Sequence, residues 1–99
     1  MSFEKFLKED ARLVILMLFS SVKDRMLNEH LIVRGLKSMG HSYTTDQVRT
    51  ELAWLAEQNL VRNDVNNSTW VSTILRRGED VAKGLLEVPG VQRPSADEV

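Results

Sequence analysis

Cysteine is absent from this chain of 99 residues. That excludes a disulfide framework and a thiolate metal site, and it fits a reducing cytoplasm. Long hydrophobic runs are absent too. The longest, Leu13 to Phe19, covers seven residues, where a membrane span needs about 20. The start, Met1-Ser2-Phe3-Glu4-Lys5, lacks the basic opening and small-residue cleavage site of a secretory signal. Charge of one sign is missing as well: 13 Lys and Arg face 14 Asp and Glu, a net charge of −1. Nucleic-acid-binding domains are usually basic, so nothing global advertises that partner. A chain of this length makes one domain with one core.

Apolar spacing divides the chain into helices. Phe3, Leu7, Ala11, Val14 and Leu18 recur at helical steps, predicting a helix over 3–22. From Leu13 to Phe19 it is apolar all round and must be buried all round. Either it lies at the centre of the fold, or Leu13, Leu16 and Met17 cover a second subunit. A second helix is expected behind Asn28 as N-cap, with Leu31, Ile32, Gly35, Leu36 and Met39 inward and Gly40 as its stop. Gly35 inside a helix predicts close packing against a neighbour. Thr44 with Gln47 has the spacing of a capping box. It opens a third helix that buries Val48, Leu52 and Leu55 and closes at Asn59.

The period then changes. Leu60–Val65 and Thr69–Ile74 are β-branched runs flanking Asn66-Asn67-Ser68, which predicts a hairpin. A last helix over 76–86 should bury Val81, Ala82 and Leu85. Both prolines, Pro89 and Pro94, fall in an aperiodic tail. The expected division is therefore one domain over 1–88 and an extended, partly disordered tail over 89–99.

Helix, extended link, helix, turn, helix, hairpin, helix is the element order of a winged helix-turn-helix. The stretch from Thr44 through Arg49, Leu52 and Leu55 to Asn59-Leu60-Val61 resembles a winged-helix recognition helix running into its wing. Thr73-Ile74-Leu75-Arg76-Arg77-Gly78 resembles the exit from the wing. With the ending Val88-Pro89-Gly90-Val91-Gln92-Arg93-Pro94, the chain resembles small ArsR-like proteins of Mu-like phages and prophages. Two positions depart from the pattern: Leu75 stands where a capping Thr is common, and Asn59 stands where Gly is usual.

The resemblance implies a mainly α, α+β fold with a three-helix core, a β-hairpin wing and a C-terminal helix. It implies a small DNA-binding regulator acting as a homodimer on double-stranded DNA. The third helix would enter the major groove and the wing would meet the backbone. Candidate contacts on the helix are Thr45, Gln47, Arg49 and Thr50, Gln47 reading adenine and Arg49 guanine or phosphate. On the wing and flank they are Arg62, Asn66, Asn67, Arg76 and Arg77. Trp54, about 120° from the core direction at 100° per residue, either joins Leu13, Leu16 and Met17 in a dimer interface or packs on the hairpin.

Charge opposes part of this reading. Residues 42–60 carry Asp46, Glu51 and Glu57 against Arg49, a net −2, and phosphate attraction dominates nucleic-acid affinity. Residues 23–37 carry Lys23, Arg25, Arg34 and Lys37 against Asp24 and Glu29, a net +2. The alternative is a protein-interaction module that binds a phage or host protein in assembly or packaging. No cofactor, metal or membrane is expected. His30 and His41 stand alone without cysteine partners, and paired acids such as Glu79-Asp80 point to different sides of a helix. No catalytic motif appears, so an enzyme is not expected.

Overall fold

Each long helix starts where a side chain satisfies its first free amides. In the computed structural model, which describes residues 2–95, Ser2 Oγ accepts from Lys5 N at 3.1 Å and opens helix α1, Phe3–Leu18. The regular helix stops four residues short of the expected end, because Phe19–Ser21 tightens into a 3₁₀ turn. Strand β1, Met26–Asn28, occupies the expected extended link. Asn28 then accepts from Leu31 N and opens α2, Glu29–Ser38. Thr44 and Gln47 form the expected capping box at the head of α3, Thr45–Glu57.

Asn59 leaves α3 in the left-handed region at φ 61°, a conformation Asn tolerates better than most residues. The chain turns into β2, Val61–Asn66, and returns as β3, Thr69–Ile74. Asn67 and Ser68 both hold positive φ, 50° and 66°, as a two-residue turn matched to strand twist requires. The sheet is antiparallel throughout in the order β1-β3-β2, with Leu27 opposite Ser72 and Val61 opposite Ile74. Helix α4, Arg76–Ala82, ends earlier than the apolar spacing suggested. Gly84, at φ 78°, turns the chain away, so Leu85 is 75% exposed instead of buried.

Helix α1 packs against both α2 and α4. Ala11, Leu13, Val14, Ile15 and Leu16 are all buried within the chain, so most of its all-round apolar stretch is covered by the domain itself, with Met17 and Leu18 half-buried. On α2 the inward stripe is Ile32 and Leu36 with Glu29, while Leu31 and Met39 lie outside it, exposed. Gly35 faces α1 as its position suggested: a Cβ there would sit 2.6 Å from Leu18 Cδ1.

The C-terminal segment departs from the expected loose tail. Val88 and Val91 are buried in the core, and Gln92 N donates to Glu9 O at 3.1 Å. The packed unit therefore extends past residue 88 to at least Val91. The expectation of disorder over 96–99 falls outside the described residues.

Candidate functional site

Three elements meet at one carboxylate. Glu29 is the first residue of α2 and is 1% exposed. Arg49, on the second turn of α3, donates to it from Nε at 2.9 and 3.0 Å and from Nη2 at 2.6 Å. Trp70 N on β3 donates to the same carboxylate at 3.0 Å. The guanidinium also reaches Ser68 O in the hairpin turn at 3.1 Å and lies 5.5 Å from the Trp70 ring centroid. The Arg49 hydrogen bonds hold the Glu29 carboxyl below its ordinary range, against the upward push of burial, and Trp70 N–H adds to the lowering. Arg49 is correspondingly raised by the same contact. The network clips the start of α2, the middle of α3 and the hairpin turn together.

Around it lie some of the residues expected to meet DNA, Gln47, Thr50 and the tip asparagines, among other outward residues of α3. Asp46, Gln47, Thr50, Ala53 and Glu57 are exposed along the outward side of α3, as helical geometry requires with Val48, Leu52 and Leu55 inward. Thr45 is half-buried, and Thr50 Oγ1 donates back to Asp46 O at 3.1 Å. Asn66 and Asn67 are exposed at the hairpin tip. Arg49 joins this end through Ser68.

Arg62, Arg76 and Arg77 occupy the other end of the hairpin. Arg62 pairs with Thr73 one step from the strand base, four residues from Asn66 and so about 13 Å along the strand. Arg62 lies 3.3 Å from Asp64 and Arg76 lies 3.9 Å from Asp80. Arg77 Nε donates to Gln58 O at the end of α3, at 3.0 Å. The tip asparagines and these three arginines thus do not form one cluster.

The residues considered for a subunit interface are also separated. Leu13 and Leu16 are 2% and 1% exposed, buried in the chain's own core. Met17 is half-buried and lines a mostly apolar pocket of about 430 Å³ with Phe19, Ile74, Ala82 and Leu85. Trp54 is half-buried against the core. The Arg12 guanidinium covers its ring, and a Cβ at Gly90 would lie 2.7 Å from its Cζ2.

Two arrangements escaped sequence reasoning. The partner of Arg49 lies 20 residues away with no motif to mark it. His30, Arg34 and Lys37 share the outward side of α2; the sequence marks Arg34 and Lys37 as part of a local charge surplus and His30 as a lone histidine, although their spacing is that of one helical face. Elsewhere, His41 Nε2 sits 2.8 Å from Asp10 Oδ2, which explains a buried histidine in a loop.

No protein-family model matches the chain, and no solved structure matches it. Among curated proteins, gp26 of Escherichia phage Mu, described as an uncharacterized protein, is 41% identical over 88 residues, covering 89% of this chain and 91% of its own. An uncharacterized protein of Haemophilus influenzae is 43% identical over 61 residues, covering 62% of this chain and 59% of its own. With nearly its whole length shared at that identity, the chain belongs to the family of the small Mu phage protein gp26.

Proposed function

We propose that this protein is a winged helix-turn-helix protein of the ArsR-like kind that binds double-stranded DNA and acts as a phage or prophage regulator. The observation that carries this reading is topological. A short strand precedes α2 and α3, a two-stranded hairpin follows them, and the sheet order is β1-β3-β2. That arrangement leaves the outward side of α3 and the hairpin tip beside each other, the two elements such proteins place on DNA. Gln47 and Thr50 face outward for base or phosphate contact, and Asn66 and Asn67 stand at the tip. Arg49 supports the reading as the residue that holds helix and hairpin in register. A fold licenses function only by analogy, so the test is direct. Selection from random duplex DNA, followed by mobility shifts at about 50 mM salt, where electrostatic affinity is strong, should yield an enriched site. No shift at micromolar protein overturns the reading.

The regulator is proposed to act as a homodimer. Leu13 and Leu16 are internal, so of the α1 residues expected at the interface Met17 is the more accessible, at the pocket it rims with Leu85. Light scattering of the purified protein decides it: a monomer mass at 100 μM concentration, about a hundredfold above micromolar affinity, removes the dimer.

One observation favours a second reading, a protein-interaction module in phage assembly or packaging. The outward side of α3 carries Asp46 and Glu57 and no unpaired cation among the described residues. Co-purification of one phage or host protein with a chain that fails to shift DNA would select it.

A further inference from the structure

Most of the arginines in this chain are already engaged. Six form ion pairs with carboxylates, and Arg77 donates to a backbone carbonyl. Among the described residues Arg34 is the one arginine with neither kind of partner. It lies midway along α2, exposed, with His30 one turn before it and Lys37 one turn after it, both also exposed and outside any ion pair. At 100° per residue the three fall within an arc of about 60°, opposite Ile32 and Leu36. The only acid on the helix, Glu29, is buried and paired with Arg49, although it still feels the nearby His30. The stripe is therefore a local surplus of positive charge in a chain whose net charge is −1.

We propose that the outward stripe of α2, His30, Arg34 and Lys37, is the surface that grips the phosphate backbone, and that α3 contributes little to phosphate affinity. This rests on the DNA-binding reading above and says where that affinity resides. Charge complementarity selects the partner. Seven residues of helix rise about 10 Å, enough for its two permanent cations, Arg34 and Lys37, to reach neighbouring phosphates of one strand. The stripe begins at the head of α2, which the Glu29–Arg49–Ser68 contacts hold beside the hairpin turn. A backbone lying along α2 would thus pass the hairpin tip. The outward acids of α3, Asp46 and Glu57, would repel a backbone laid along that helix instead.

The test compares two double variants of the full-length protein, R34A/K37A on the stripe and K5A/K8A on the exposed outer side of α1, which remove the same charge. Binding to a random-sequence duplex is measured between 50 and 200 mM salt. All four side chains are exposed, and unchanged circular dichroism and Tm confirm the fold of each variant. The expected result for R34A/K37A is at least about a tenfold loss of affinity at the low-salt end and a log–log salt slope reduced by about two, one per lost phosphate contact. K5A/K8A should keep the wild-type slope. If the wild type binds and R34A/K37A keeps its slope, or both variants lose it equally, the stripe is not the grip while the DNA reading stands. If the wild type leaves the duplex free and R34A/K37A instead abolishes capture on immobilised poly-glutamate, both the grip and the DNA reading fall in favour of an acidic protein partner.

Discussion

The guanidinium carbon of Arg12 lies 3.9 Å above the ring of Trp54, joining the middle of α1 to α3. The same side chain donates from Nε to Glu51 at 2.6 Å and from Nη1 to Gly90 O at 3.0 Å. One arginine thus ties two helices and the C-terminal segment. Arg12→Ala leaves Glu51, 6% exposed, without its cation. Breaking such a pair from one side is expected to cost about 3 kcal/mol. Denaturant unfolding measures the loss, and amide exchange at Val91 and Gln92 should accelerate in the folded state.

Removing the segment itself is the companion measurement. A chain ending at Glu87 forfeits the burial of Val88 and Val91, about 1.5 kcal/mol or more for each side chain. Together that is about 3 kcal/mol, so the shortened chain's Tm should fall by about 12–24 °C, taking about 4–8 °C per kcal/mol for a domain of this size. An unchanged Tm would mean that the segment is an appendage.

Acid should weaken the protein through Glu29. Its carboxyl is held below the ordinary value of 4.5 in the folded state, so the unfolded chain takes up the proton more readily. The stabilisation is fully present above about pH 5 and is lost as pH falls below 4.5 through the lowered folded value. Glu29→Gln should reduce stability at neutral pH and flatten the acid limb of a plot of stability against pH. If the variant and the wild type lose stability in parallel between pH 5 and 3, Glu29 is not the group responsible.

Gly78 admits no side chain. An added Cβ would run into Leu60 O, a backbone atom with no room to move, and come within 2.9 Å of Ile74 Cγ1. Gly78→Ala is expected to destabilise by about 2 kcal/mol or more through overpacking, although alanine is the better helix former. A stabilised variant in urea titration would refute that contact.

Local chemistry was legible in the sequence. Asn28, the Thr44–Gln47 capping box and the asparagine at the end of α3 all act over three or four residues, and each stands where spacing put it. Gly35 likewise announced the close approach of α1. The misses involve long-range partners or weak signals. Strand β1 has three residues, too few to show alternation. Val88 and Val91 follow no helical or strand period, yet both are buried. Leu31, Met39 and Leu85 are apolar residues at inward-looking spacings that the structure leaves exposed, because apolar residue type alone does not secure burial. At the candidate site the outward side of α3 followed from helical geometry. The engagement of Arg49 did not, since its partners sit on α2, on the hairpin turn and across the ring of Trp70.

The bond from Arg49 to Ser68 O has a mechanical consequence. A two-stranded hairpin held only at its base would swing like a hinged finger, and its tip would sample many positions. Here the tip is braced near its free end by a side chain rooted in α3, which is itself pinned to the start of α2. Hairpin and helices are thereby cross-linked near the tip as well as at the base, so a load applied at Asn67 has a path to the head of α2 through Arg49 beside the one along the strands.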